Sequence, residues 1–315
     1  MSPSRSATWN GPRRNWPGPA MPWTTSAADN ITRGNMARTS CAVVVGSLHY
    51  DIVVSAPHRP AAGETVTGTA WHPVFGGKGG NQAVAVVRAG VACRIVSAVG
   101  DDDFGLFLRG HLEASGVDAA HVATLPGTGS GMSVAIMDAG GDYGAVIVSG
   151  ANLAIDPAVL DRDALWDGAS HLVLQNEIPE ALNIAAARAA RARGLRVVLN
   201  AAPARDLSAD LAATIDILVV NAGEAEALSG IVVESLEDAR HAASALADRF
   251  RIVVVTAGTE GAHSEPGRRV KLVSTHGAGD CFIGTLVAEL AHGGDLRYSV
   301  RQANLAAAKH VSRAE

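Results

Sequence analysis

His171-Leu-Val-Leu-Gln-Asn-Glu-Ile-Pro-Glu-Ala-Leu-Asn-Ile-Ala-Ala-Ala-Arg-Ala-Ala-Arg-Ala-Arg-Gly-Leu-Arg-Val-Val-Leu199 reads as one strand, one helix and one strand. The apolar runs His171–Gln175 and Arg196–Leu199 are short and continuous, as buried strands are, and the Ala-rich segment 180–193 has helical length. The same alternation lies on either side of this unit. A helix is expected at 157–167 before it; after it come a helix at 208–213, a strand at Asp216–Val220, a helix at 236–249 and a strand at Arg251–Thr256. Strands that alternate with helices predict an α/β fold, a parallel sheet flanked by helices on both faces.

Working toward the N-terminus, Arg94–Gly100 reads as a strand followed by a helix through Leu112, and Cys41–Asp51 as a buried strand ending in a small-residue turn, with polar groups at its carboxyl end. Asp101–Asp103 reads as a solvated loop, because consecutive side chains do not converge on one ion. Two β-rich runs around Asp138-Ala-Gly-Gly-Asp142 make residues 131–149 a hairpin. With a strand at about residues 64–74 it is expected to form a small sheet set apart from the main one.

Composition narrows the class. The chain of 315 residues is 48% hydrophobic but only 4% aromatic, so its core is expected to be built of Ala, Val, Leu and Ile. A net charge of −5 gives no electrostatic reason to expect nucleic acid or an anionic membrane as partner. No apolar run approaches the roughly 18–20 residues that span a bilayer. Cys41, Cys93 and Cys281 lie far apart with no Cys-x-x-Cys spacing, which suits a reduced, cytoplasmic setting rather than a zinc site or a disulfide framework. Residues 1–38 carry five arginines against the single acid Asp29, with several prolines and no apolar signal region. They are expected to be a disordered extension or the product of an upstream start, with the folded domain spanning 39–315.

Two glycine loops carry the chemistry. Ser274-Thr-His-Gly-Ala-Gly-Asp280 leads into an apolar helix at Gly279, so backbone N–H groups and the helix dipole face an incoming anion. Asp280 in its first turn is either an N-capping carboxylate or a base that takes a hydroxyl proton as a phosphoryl group arrives. Phe75-Gly-Gly-Lys-Gly-Gly-Asn81 opens a second helix, closed by Gly90; Lys78 and Asn81 suit sugar hydroxyls, unless the loop is a flexible surface turn. It matches neither the Walker A spacing nor the dinucleotide fingerprint, which speaks against an NAD-linked oxidoreductase. Asp51 is a candidate ligand for a polyol or a turn-capping residue. Asn221-Ala-Gly-Glu224 at a helix start is either a Mg²⁺-water and phosphate pair or a capping pair.

With these motifs in hand, residues 41–313 resemble the ribokinase/phosphofructokinase-B family of carbohydrate kinases. Gly76–Asn81 and Gly277–Asp280 carry the resemblance, with Gly63-Glu-Thr-Val-Thr-Gly68, Gly150-Ala-Asn152 and Ala201-Ala-Pro-Ala-Arg205. The resemblance implies an ATP- and Mg²⁺-dependent sugar kinase acting on a primary hydroxyl, D-ribose first, or else on another sugar or a nucleoside. It implies Asp280 as base, with the N–H groups of Gly277, Ala278 and Gly279 as anion hole. His49, Asp51, Gly77, Lys78, Asn81 and Glu177 match sugar-contacting positions. Asn221, Glu224, Thr256, Gly258, Thr259, Gly261 and Asn304 match nucleotide, phosphate and magnesium positions. The small sheet would be a lid over the sugar and a homodimer interface.

Three departures bear on these expectations. His49, followed by Tyr50, stands where the family has a sugar-contacting asparagine. Ser274 replaces the aspartate that, with neighbours such as His276, would hold an activating K⁺, leaving potassium dependence open. The chain stops at Glu315, where the family continues through a loop and helix that complete the cation site and the adenine pocket. A catalytically impaired sugar-binding relative is therefore the alternative from a different class.

Overall fold

The structure, a computed structural model, describes residues 40–140, 143–258, 261–262, 265–266 and 277–312. The segment 1–38, the hairpin tip at Gly141-Asp142, and Thr259, Ser274 and His276 lie outside the described residues.

In chain order, β1 (Cys41–Val45) is followed by β2 (His49–Ser55), β3 (Ala70–Gly76), α1 (Lys78–Arg88), β4 (Ala92–Gly100), α2 (Asp103–Ala114) and β5 (Asp118–Leu125). The hairpin β6 (Met132–Met137) and β7 (Tyr143–Val148) comes next, then α3 (Asp163–Trp166), β8 (Ala169–Gln175), α4 (Glu180–Ala192), β9 (Arg196–Asn200) and α5 (Ala209–Ala212). The chain continues through β10 (Ile217–Asn221), α6 (Ala222–Ser229), α7 (Leu236–Leu246), β11 (Val253–Thr256), the short β12 (Gly261–Ala262) and β13 (Glu265–Pro266), α8 (Ala278–Ala291) and α9 (Leu296–Ser312).

The main sheet has the order β13-β12-β11-β10-β9-β8-β1-β4-β5. The strands from β11 to β5 pair in parallel, and β12 and β13 add an antiparallel edge. Alternating side chains of β1 feed two cores. Val43 and Val45 face α4 and α7 through Leu182, Ala186, Ala190, Ala242 and Leu246, whereas Ala42 and Val44 face α1, α2 and α8 through Val86, Leu108, Phe282, Leu286 and Val287. Both faces of the sheet are thus covered, as all-parallel strands require.

The second sheet has the order β3-β2-β6-β7, with β2 and β6 parallel and the outer pairs antiparallel. Tyr50 in β2 stacks on Phe104 of α2 at 4.1 Å and meets the edge of Phe107 at 4.8 Å, so the two sheets are joined by aromatic packing as well as by chain. Trp71, Met137, Val146, Ile147 and Val148 remain exposed on this sheet.

Three expectations are corrected, and one strand was not foreseen. His49 and Asp51 do not end the first strand; they open β2, because the chain turns at Gly46–Leu48 and passes into the other sheet. The strand expected over 64–74 starts at Ala70, since the ladder with β2 begins at the Ser55–Ala70 pair and residues 64–69 have no partner strand. The helix expected over 157–167 is a 3₁₀ turn at Pro157–Asp161 and the one-turn α3, separated by extended Arg162. Residues 118–125 form β5, which their Ala-rich, weakly alternating pattern did not announce.

Candidate active site

The carboxyl ends of β1, β8, β9 and β10 and the N-termini of α1 and α8 meet at one place. Parallel strands bring their ends to one edge, and ligands of open α/β sheets bind outside that edge. The approach is unusually close between β1 and α1. A Cβ on Gly79 would lie 2.6 Å from the backbone carbon of Gly46 and from the nitrogen of Ser47, so only glycine lets α1 start there. Gly77, with φ of 85°, turns the chain into that helix. The glycine loop is a packed joint, which removes the flexible-surface-turn reading.

Glu177 follows β8 and is held by this joint. Its Oε2 accepts from the Lys78 backbone N–H at 2.8 Å and from the Ser47 hydroxyl. His49 is buried, its Nδ1 lies 3.9 Å from the same oxygen, and its Nε2 has no partner among the described residues. Asp51 projects from β2 and accepts from the hydroxyl of buried Ser133 on β6.

Asp280 sits in the first turn of α8. Gly277 precedes it in the left-handed region at φ 71°, and no side chain among the described residues caps the helix. The first N–H groups of α8 therefore have no intrahelical acceptor, and none from a capping side chain among the described residues, and they point outward with the positive end of the helix dipole. The Asp280 carboxylate is buried, with Oδ1 accepting from Gln82 Nε2 at 2.9 Å and Oδ2 from Asn81 Nδ2 at 3.3 Å. Burial raises its pKa; the Lys78 charge and the Gln82 and Asn81 hydrogen bonds oppose that rise, and Glu177 adds to it. Asp280 is not the N-cap, so its carboxylate is available for work other than capping.

Asn221 and Glu224 form a complete capping box on α6. Asn221 Oδ1 accepts from Glu224 N–H, and Glu224 Oε2 from Asn221 N–H, both at 2.9 Å. The capping alternative holds, and it leaves the second carboxylate oxygen of Glu224 outside the box. Burial raises the Glu224 pKa and the Asp280 charge adds to the rise, while the Asn221 N–H and the Lys78 charge oppose it, so the Lys78 charge favours ionisation of both carboxylates. No group of three or more His, Cys, Asp or Glu side chains among the described residues is arranged to hold a metal by itself.

Thr256 ends β11 next to Asn221 in the sheet, and Gly258 follows with φ of 55°. Gly261 lies in β12, paired back against the end of β11. Asn304 is half-buried on α9, the helix packed along α8. Thus Lys78, Asn81, Glu177 and Asp280 are brought together, Glu224 joins them electrostatically, and Asp51 is tied to the second sheet.

Sequence reasoning missed Ser47, Gln82 and Gln175, which support the site together with Asn200, and His310 of α9. A Cβ on Gly277 would lie 3.2 Å from His310 Nε2. One signal for Gln82 was present. It shares the core-facing side of α1 with Ala83 and Val86, and a polar residue on such a stripe needs a partner.

The fold and this convergence of carboxylates with an uncapped, glycine-led helix define a phosphotransferase of the α/β class. The family model described as pfkB family carbohydrate kinase matches residues 40–315. The ribokinase of Haemophilus influenzae is 33% identical over 280 residues, covering 86% of this chain and 92% of that protein. The deoxyribokinase of Salmonella typhi is 33% identical over 280 residues, covering 85% and 92%. The structure of Arabidopsis thaliana ribokinase complexed with ribose and ATP matches with a TM-score of 0.78 at 27% identity, covering 87% of this chain and 93% of that one. The chain belongs to the pfkB family and is a sugar kinase of the ribokinase group.

Proposed function

We propose that this kinase transfers the γ-phosphoryl group of ATP to a primary hydroxyl of D-ribose, giving ribose 5-phosphate and ADP. The observation that carries this reading is the buried Asp280 carboxylate, held by two amides at the mouth of an uncapped helix. Asp280 takes the proton of the sugar hydroxyl as that oxygen bonds to the γ-phosphorus. The bond from phosphorus to the bridging oxygen breaks, and ADP leaves with the electron pair. The N–H groups of Gly277, Ala278 and Gly279 receive the charge on the moving phosphoryl group, where preorganised donors act most strongly. Asp51, Lys78, Asn81, Glu177 and His49 hold and orient the sugar, and Gly77 supplies close backbone contact. Asn221, Thr256, Gly258, Gly261 and Asn304 face the nucleotide.

Mg²⁺ keeps several waters and needs only one or two carboxylates beside substrate phosphates, and a lone buried Glu224 within reach of Asp280 fits that requirement. Glu224 would hold the ion through water, and the ion would neutralise phosphate charge.

A second reading, phosphorylation of 2-deoxyribose or another sugar, is favoured by buried His49 with its unpaired Nε2 and by the likeness to a deoxyribokinase. ADP release by the 315-residue chain with Mg·ATP, across ribose, 2-deoxyribose, fructose and nucleosides, with and without K⁺, decides between them. Turnover is expected to be highest with ribose. A higher kcat/KM for 2-deoxyribose would move the assignment, and sugar binding without turnover would favour the impaired relative. Buried free thiols at Cys41 and Cys93 suit a cytoplasmic enzyme, and no described helix is long and apolar enough to cross a membrane.

The second sheet is the proposed lid and dimer interface. Trp71, Val146 and Val148 share one face of this sheet by register and are exposed, with no layer over them among the described residues, and such an apolar surface favours a second copy. Val146→Glu is expected to shift the protein from dimer to monomer in analytical ultracentrifugation. A wild-type protein that sediments as a monomer at assay concentration would remove the dimer reading.

A further inference from the structure

The amide of Gln82 is fully buried, and the chemistry above leaves it without a task. Its Nε2 donates to Asp280 Oδ1 at 2.9 Å and to Asn200 Oδ1 at 3.0 Å, and its Oε1 accepts from Gln175 Nε2 at 2.8 Å. A primary amide has two donor hydrogens and one acceptor oxygen, and here both ends are engaged. The orientation is therefore determined by chemistry. A flipped amide would set its oxygen against a carboxylate and an amide oxygen, and its NH₂ group against that of Gln175.

The partners of Gln82 are themselves anchored to the main sheet. Gln175 ends β8, and its backbone oxygen accepts from Asn183 Nδ2 of α4 at 2.8 Å. Asn200 ends β9 and donates to the Val219 backbone oxygen of β10 at 3.2 Å. Gln82 thus carries the position of three strands to one oxygen of Asp280. That oxygen faces a group that can only donate, so it stays an acceptor whether Asp280 is ionised or neutral. The other oxygen has the longer Asn81 contact, from a side chain that is only half-buried.

We propose that Gln82 is a positioning residue for phosphoryl transfer: it locks Oδ1 of Asp280 as a permanent acceptor and so presents Oδ2 as the oxygen that takes the hydroxyl proton. The proposal rests on Asp280 acting as base. Lys78 of α1, Glu177 beyond β8 and Glu224 of α6 act on Asp280 through space, and His310 of α9 stands by Gly277 at the same helix start. Gln82 alone donates directly to Oδ1 among the described residues.

Gln82→Met keeps side-chain length and removes the donor; Gln82→Glu keeps the shape and the bond from Gln175. Both are expected to lower kcat by about 10- to 100-fold with the sugar KM within about threefold of wild type, the signature of lost positioning rather than lost binding. Both should move the acid limb of the kcat–pH profile to higher pH, because a carboxylate that loses a donor ionises less readily. The larger move is expected for Gln82→Glu, where two carboxyl groups compete for one proton. Wild-type kcat and an unmoved limb in either folded variant overturn the proposal. So does failure of both variants to fold, which would make Gln82 a packing residue. Asp280→Asn is measured alongside. Full turnover there removes the base itself, whereas an inactive Asp280→Asn beside a normal Gln82→Met removes only the role of Gln82.

Discussion

Asp280→Asn is expected to lower kcat by about 10²- to 10⁴-fold, the range that a positioned general base contributes, with ribose affinity by calorimetry changed little. The side chain keeps its size and an acceptor for Gln82, so the sugar pocket keeps its walls. What is lost is the electron pair that takes the proton. Binding lost in parallel with turnover would make Asp280 a binding residue, and unchanged kcat would remove it from the mechanism. Stability supplies a second, independent readout. Burial raises the pKa of Asp280 above its unfolded value, so the folded state holds the proton more tightly. The contribution of Asp280 to stability is therefore most favourable below the unfolded carboxylate pKa, and it is lost as pH rises through the raised folded value. The amide that replaces the carboxylate in the variant cannot titrate. Relative to the variant, wild type should lose thermal stability as pH rises from the acid side toward neutrality, and a pH-independent difference would contradict the buried, ionising carboxylate.

The parts of this enzyme legible in its sequence are those carried by local pattern. Strands such as Leu172–Leu174 and Val197–Leu199 are short, apolar and bounded by polar or turn residues, and each is a central strand of the main sheet. Asn221 and Glu224 stand three apart at a helix start, and they cap it. What was not legible depends on which residues meet across the fold. The small residues Gly46 and Ser47 announce a turn after Cys41–Val45, but not that the chain passes there into the other sheet with Gly79 packed against the turn. Gln82 meets Gln175, Asn200 and Asp280 across sequence separations of 93, 118 and 198 residues. Gln82, Gln175 and Asn200 are ordinary polar residues within their own segments, and only the parallel order of β8 and β9 with the placement of α1 and α8 brings them to Asp280. The glycines of 76–81 were read for the anions and sugars they admit, but the structure gives them a steric duty as well.

The same steric duty predicts a large effect at a residue that touches no substrate. Gly284 lies one turn below Asp280 on α8, against Ala85 and Val86 of α1. A Cβ there would overlap the Ala85 side chain and lie 2.7 Å from both the Ala85 carbonyl carbon and the Val86 nitrogen, so the helices touch backbone to side chain. Neither neighbour is the movable end of a long side chain, so a larger residue must push the helices apart. Gly284→Val is expected to destabilise the protein by about 1–3 kcal/mol through overpacking. The functional loss should exceed what that figure suggests. α1 carries Gln82 and Asn81, α8 carries Asp280, and the displacement opens the bonds that hold the carboxylate. A misplacement of about 1 Å costs on the order of 100-fold in rate, so kcat is expected to fall by roughly that factor in protein that remains folded at the assay temperature. Gly110→Ala is the matched control, because Gly110 sits in the interior of α2 with open space around its Cα. There the extra methyl should stabilise by about 0.4–1 kcal/mol and leave kcat alone. If Gly284→Val lowers the melting temperature but keeps wild-type kcat, the contact between α1 and α8 serves stability only, and Asp280 is positioned by other means.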